Sequence, residues 1–195
     1  MGKLGANEQK LKKFFGNSFA PLRSVAQLAI DIQPKFCDPA KTRGNQETHR
    51  ISEHISRHVM PRLRKCVHKT ILICGWEPPK EELRDAFYKI RPEEGDIIIN
   101  KDNDSAFRGS DIKLQLADLG ITRLIMYGFN AGHCVQKTAL DGLKHKFNVC
   151  VLEDAVGTGD FVRKPHTKDA IEAMEKKGIT ICNSQDTIEY SLDLA

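Results

Sequence analysis

The sequence contains no run of five like charges, no CxxC pair, and no apolar stretch approaching the roughly 20 residues that cross a bilayer. Each absence excludes a class of protein. Thirty Lys and Arg stand against 26 Asp and Glu, a formal +4 over 195 residues, too weak and too interspersed to mark a nucleic-acid partner. Without a long apolar run the chain has no membrane span. Six cysteines, Cys37, Cys66, Cys74, Cys134, Cys150 and Cys182, lack the paired Cys/His spacing of structural zinc, which points to a reducing compartment. The first 20 residues mix Lys3, Glu8, Lys10, Lys12 and Lys13 with single hydrophobes and lack the apolar block of a secretion signal. A cytoplasmic location is therefore expected. Ala6 stands where N-myristoylation would want Ser or Thr.

What is present is alternation. With 40% hydrophobic and 29% charged residues, the chain is large enough for one soluble domain with its own core. Ser24 to Ile32 reads as a first buried strand. Thr70 to Cys74, Asp96 to Ile99, Arg123 to Phe129, Asn148 to Leu152 and Ile179 to Cys182 follow as five more. Between them lie helical periods: Ile51, Ile55, Val59 and Leu63, with Pro61 expected to kink or divide that helix; Ile112, Leu114, Leu116 and Leu119 after a Ser110/Asp111 start; Leu140, Leu143 and Phe147; and Ile171 with Met174. Strands separated by helices predict an α/β fold, a three-layer αβα sandwich on a six-stranded parallel, Rossmann-like sheet. Residues 1–23 form a basic N-terminal arm and residues 24–195 the domain. Within the arm, Leu11, Phe14 and Phe15 beside Lys10, Lys12 and Lys13 predict an amphipathic segment, either packed on the domain or laid on a membrane surface.

In such sheets ligands bind beyond the carboxyl ends of the strands, where the strand order reverses. The polar residues expected there are Asp31, Lys101 and the segment Gly128 to Val135. Cys134 follows Gly128, Asn130, Ala131 and Gly132, small or turn-forming residues that permit a sharp strand-to-helix elbow. A helix amino terminus and a nearby ammonium both favour thiolate. Free-solution values set the difficulty: moving a proton from a thiol to a carboxylate is uphill by about 4.6 pKa units, roughly 6 kcal/mol. Asp31 alone cannot activate Cys134. Burial of all three groups would raise the carboxylate toward the thiol, and the titration would be shared. Taken singly, each residue has a structural explanation: a buried thiol, a loop cap, a solvated strand end. Their convergence on one rim is what points to chemistry.

The segments DIQPKF (31–36), KDNDSAF (101–107) and GFNAGHCVQKTA (128–139) resemble the three signature blocks of the isochorismatase-like cysteine hydrolases, a family that includes nicotinamidases and other small-amide amidohydrolases. D-x-Q-x-x-F, K-x-x-x-S-A-F and C-V-x-x-T-A occur in family order, with weaker similarity through Asp154, Ala155 and His166. The resemblance implies that Cys134 is the nucleophile, Asp31 the base and Lys101 the charge that holds them in register. It also implies a cis Phe129–Asn130 peptide and an oxyanion hole from the amides of Asn130 and Cys134. The chemistry it implies is acyl transfer on a small-molecule amide, through a thioester, without a cofactor. The same resemblance implies a homodimer or higher homo-oligomer.

Departures matter for the substrate. Nicotinamidase-like members carry a metal-binding D-W-H-P block with a further His, where this chain reads Gly75-Trp76-Glu77-Pro78-Pro79 and Leu83. No metal is expected at that point, although a role for Glu77 or the His49, His54 and His58 group stays open. Phe36, Trp76, Phe107 and His133 are the expected pocket-lining residues, His133 being too awkwardly placed beside Cys134 to serve as its base. Other readings of the residues are vinyl ether hydrolysis, which does not need the cysteine, a catalytically silent scaffold, and a thiol redox sensor.

Overall fold

The computed structural model of the chain describes residues 6–16, 22–41, 43–75, 83, 85–159 and 166–194. Six parallel strands form one sheet in the order β3-β2-β1-β4-β5-β6: β1 (Val25–Ile30), β2 (Lys69–Gly75), β3 (Ile97–Lys101), β4 (Arg123–Phe129), β5 (Asn148–Gly157) and β6 (Thr180–Cys182). The central runs VAQLAI and RLIMYGF are apolar on both faces because helices cover both. Ala26, Leu28 and Ile30 of β1 face one core layer with Leu116, Ala139 and Met174. Val25 and Ala29 face the other with Ile51, Ile55 and Ile188. The first layer holds α5 (Ile112–Asp118), α6 (Gln136–Lys144) and α7 (Thr167–Lys176). The second holds α1 (Ala6–Phe15), α3 (Gln46–His54), α4 (Met60–Leu63) and α8 (Ser184–Asp193), while the short α2 (Pro34–Cys37) follows β1.

One polar side chain interrupts β1. Gln27 is fully buried, yet its amide donates to Thr70 Oγ1 at 2.8 Å and its carbonyl accepts from the Tyr127 hydroxyl at 2.6 Å. Three strands are thus cross-tied by a satisfied network, and burial pushes the Tyr127 phenol well up.

Pro61 divides its helix, by way of a widened turn. Ile55–Val59 forms a π turn in which the Met60 amide bonds to the Ile55 carbonyl. The bulge therefore ends next to the residue that has no N–H to give. Ile51, Ile55, Val59 and Leu63 all stay buried. The fifth strand is longer than the apolar run Asn148 to Leu152 suggests. Between the register pairs Met126–Val151 and Gly128–Val156, the single residue Tyr127 of β4 is matched by four of β5, 152–155, through a bulge that carries Glu153 and Asp154 outward before pairing resumes. Helix α1 is packed on the domain. Leu11, Phe14 and Phe15 are at most 2% exposed, Phe15 stacks on Tyr190 with ring centroids 5.5 Å apart, and Arg123 Nε donates to the Phe14 carbonyl at 2.9 Å. Its hydrocarbon is inside, so it offers no apolar face to a bilayer. Among the described residues no helix is long and apolar enough to cross a membrane.

Candidate active site

The strand order reverses between β1 and β4, with β1 at the centre and β2 and β3 running out on one side, β5 and β6 on the other. At that point Gly128 lets β4 approach β1: a Cβ there would lie 2.0 Å from the Ile30 carbonyl oxygen, and its φ is +122°. No other residue fits. Asp31 follows directly with φ +51°, a left-handed conformation that Asp tolerates better than most residues. That backbone ends the strand.

The Asp31 carboxylate and the Lys101 ammonium, at the ends of β1 and β3, pair at 2.8 Å with both side chains fully excluded from solvent. The strand between them, β2, ends on Gly75. A Cβ on Gly75 would stand 3.1 Å from Lys101 Nζ and 3.4 Å from Asp31 Oδ1, so the absent side chain is the space the pair occupies. Gln33 reaches back to hold this strand end, its Oε1 accepting from the Gly75 amide at 3.0 Å. Asp31 Oδ1 is buried without a hydrogen-bond donor.

Cys134, 3% exposed, enters from β4 through a π turn, Ala131–Val135, that opens directly into α6. The turn is pinned through Asn130. Its carbonyl accepts from the His133 and Val135 amides at 3.0 and 3.2 Å, and its side-chain Oδ1 accepts from the Gly159 amide at 2.9 Å. The Phe129–Asn130 peptide is cis. A second tie fixes the Lys101 loop to the same helix: the Ala106 amide donates to Thr138 Oγ1 at 3.1 Å, both residues buried.

Cys134 and Asp31 lie close enough to shift one another. Burial pushes the Cys134 thiol well up, Asp31's charge pushes it further, and Lys101 draws it down. Burial likewise lifts the Asp31 carboxyl above the ordinary range, against the pull of the Lys101 ammonium. Burial and the Asp31 charge both favour the neutral thiol over the thiolate at rest. Moving its proton to Asp31 leaves the net charge of the three groups unchanged, which is the cheapest way to make a thiolate in a dry site.

A second carboxylate stands on the outer side. Asp104, from the loop after β3, accepts from the thiol with Sγ to Oδ1 at 3.9 Å and forms an ion pair with Lys137 of α6. Lys137 holds the Asp104 carboxyl below its usual range. Sequence reasoning passed over Asp104, Thr138, Gly75 and Gln33, although all but Gly75 lie within the three matched blocks.

The other expected residues are placed as follows. His133 is half-buried at the rim. Phe36 is buried in the core layer of α3, with the Lys35 ammonium 5.3 Å from its ring centroid. The Phe107 ring packs on His145 and Phe147, at 5.2 and 5.7 Å between centroids, and against Gly142. It lies toward the far end of α6, because anchoring of Ala106 by Thr138 turns the next side chain along the helix. Trp76 and Glu77 lie outside the described residues. Leu83 is buried hydrocarbon, and among the described residues no three His, Cys, Asp or Glu side chains gather to hold a metal ion. His49 bonds Tyr88 at 2.8 Å and His54 bonds Ser184 at 3.1 Å, so the histidines point to separate partners. A hollow of about 510 Å³ between α3 and β5 includes neither Asp31, Lys101 nor Cys134.

The chain shares 24% identity over 106 residues with maleamate amidohydrolase of Pseudomonas putida, 54% of this chain and 48% of that protein. It spans under half the length of the curated relatives it matches. Among solved structures it resembles the zinc complex of pyrazinamidase from Pyrococcus horikoshii, with TM-score 0.69 and 25% identity over 82% of this chain and 99% of that one. It also resembles a cysteine hydrolase from Pseudomonas syringae pv. phaseolicola, with TM-score 0.77 and 15% identity over 92% and 97%. The isochorismatase domain model matches residues 25–186, which takes in β1 through the first turn of α8, so the chain belongs to the isochorismatase family.

Proposed function

We propose that this protein is a cysteine-dependent hydrolase that cleaves the C–N bond of a small carboxamide. The observation that carries the reading is the solvent-excluded Asp31–Lys101 pair set beside Cys134 at the strand-order reversal. A buried ion pair is a poor stabiliser for a fold, since desolvation of both groups offsets their attraction. Placed next to a thiol, it is a proton acceptor with its counter-charge built in. Relatives bearing amidohydrolase and amidase names support the same class of bond.

In this mechanism the Cys134 proton passes to Asp31 as Sγ adds to the amide carbonyl carbon. The oxyanion is received by backbone amides of Asn130 and Cys134, at the mouth of α6 where the helix favours negative charge. The C–N bond breaks, Asp31 returns its proton to the departing nitrogen, and ammonia or an amine leaves. Water then attacks the thioester, with Asp31 as base, to give the acid and free thiol. Lys101 keeps Asp31 oriented through their ion pair.

The test is ammonia release across a panel of small carboxamides, maleamate and pyrazinamide included, with hydroxylamine trapping of the acyl-enzyme. Wild type is expected to release ammonia and to carry a trappable acyl group, while Cys134→Ala shows neither. Turnover by Cys134→Ala equal to wild type would overturn the assignment.

A further inference from the structure

Asp31 and Asp104 flank one sulfur in opposite surroundings. Asp31 is sealed, unsatisfied at Oδ1 and lifted above the carboxylate range; Asp104 is one-third exposed, tied to Lys137 and held below it. Two carboxyl groups pushed apart in this way take different tasks: the raised one can carry a proton, the lowered one stays ionised and can only accept hydrogen bonds. Beyond Asp104 a cavity of about 230 Å³ opens between the loop after β3 and α6, bordered by Arg108, Lys137, Asp141 and Lys144.

We propose that Asp104 is a specificity-determining residue of the same site, an acceptor-only carboxylate that receives the N–H donors of the substrate's carboxamide and so selects amides over esters. The inference rests on the hydrolase reading above. With Oδ2 engaged by Lys137, Oδ1 is the oxygen that faces Sγ at 3.9 Å. A carboxamide nitrogen about 3 Å from Oδ1 is within hydrogen-bond reach of it, and the carbonyl carbon bonded to that nitrogen, about 1.3 Å away, can then stand at the attack distance of about 3–3.5 Å from Sγ. The thiol holds this acceptor in the resting state, and a carboxamide NH₂ replaces it with two donors. An ester offers only an oxygen lone pair, which the carboxylate repels.

Two alkylating reagents that differ in this respect, 2-iodoacetamide and methyl iodoacetate, test the idea without knowledge of the substrate. The rate ratio at Cys134, normalised to free cysteine, is expected to favour the amide by about tenfold or more in wild type and to fall toward one in Asp104→Asn. The same substitution removes a negative charge beside the sulfur, so the alkylation rate–pH curve moves to lower pH. Lys137→Gln leaves Asp104's charge unneutralised and moves the curve the opposite way. A ratio unchanged by Asp104→Asn, or two variants moving the curve in the same direction, overturns the proposal. Should Cys134→Ala keep amide turnover while these shifts are observed, the hydrolase reading fails and the N–H preference at Cys134 stands.

Discussion

Replacing Lys101 with Met keeps most of the side-chain volume and deletes the charge, leaving Asp31 buried, ionised and without its ammonium. Neither side chain has any exposed surface, so water cannot take the place of Nζ. Breaking one side of a fully buried pair costs about 3–5 kcal/mol, which for a chain of this size lowers the melting temperature by about 6–20 °C. The loss depends on pH with a definite sign. Burial already holds Asp31 above its ordinary value, so the folded state binds more protons than the unfolded one. Stability then declines as pH rises from about 3.9 through the native pKa. Without the ammonium the native pKa climbs further and the decline extends to higher pH. Melting curves of wild type and Lys101→Met are therefore expected to lie farthest apart near pH 8 and to converge toward pH 5. The double variant Asp31→Asn/Lys101→Met recovers most of the lost stability at pH 8. A gap that stays constant from pH 5 to 8, or a double variant as unstable as the single one, would refute the account of the pair as a charge held in place by its partner.

Three further outcomes follow from packing. Gly128→Ala places a methyl group 2.0 Å from the Ile30 carbonyl, and is expected to yield insoluble protein or to lose well over 3 kcal/mol by urea titration, because two central strands must separate. Phe15→Ala empties a fully buried ring site stacked on Tyr190 and should cost about 3–5 kcal/mol in the same titration, showing that α1 is part of the core. Thr138→Val keeps the shape but strands the buried Ala106 amide; about 1–3 kcal/mol is lost, and the Cys134 alkylation rate changes with it because the loop bearing Asp104 loosens.

The strands were legible because a parallel sheet covered on both faces needs unbroken apolar runs, and VAQLAI, TILIC and RLIMYGF supply them. The last helix was not. In α8 the inward positions include Ser184, Thr187 and Ser191, whose hydroxyls find partners in Asp154, the Asn183 carbonyl and the Thr187 carbonyl. A polar residue satisfied by its own helix reads, in sequence, like one facing water. The end of β5 was misread for a related reason: Glu153 and Asp154 mark a strand end by type, but they ride on a bulge and Asp154 caps the start of α8 through the Ser184 amide at 2.8 Å. At the site, strand-end chemistry sufficed to name Asp31, Lys101 and Cys134. It could not foresee Gly75, whose role is an absent atom, or Asp104, one of three Asp and Asn residues between Lys101 and Ser105 whose directions only the folded loop distinguishes. For Phe107 the matched motif says nothing about which way the ring turns, and the fold packs it on His145 and Phe147.

The widely separated origin of the rim, one group from the first strand, one from the third and one from the fourth, also sets when the protein can work. Cys134 follows Asp31 by 103 residues, and β4 must slot between β1 and β5 to bring the sulfur beside its partners. No autonomous piece holds a rudimentary site from which function could be graded up. Severing the chain after α5 would give two halves, each inert, whose joint activity would report their reassembly.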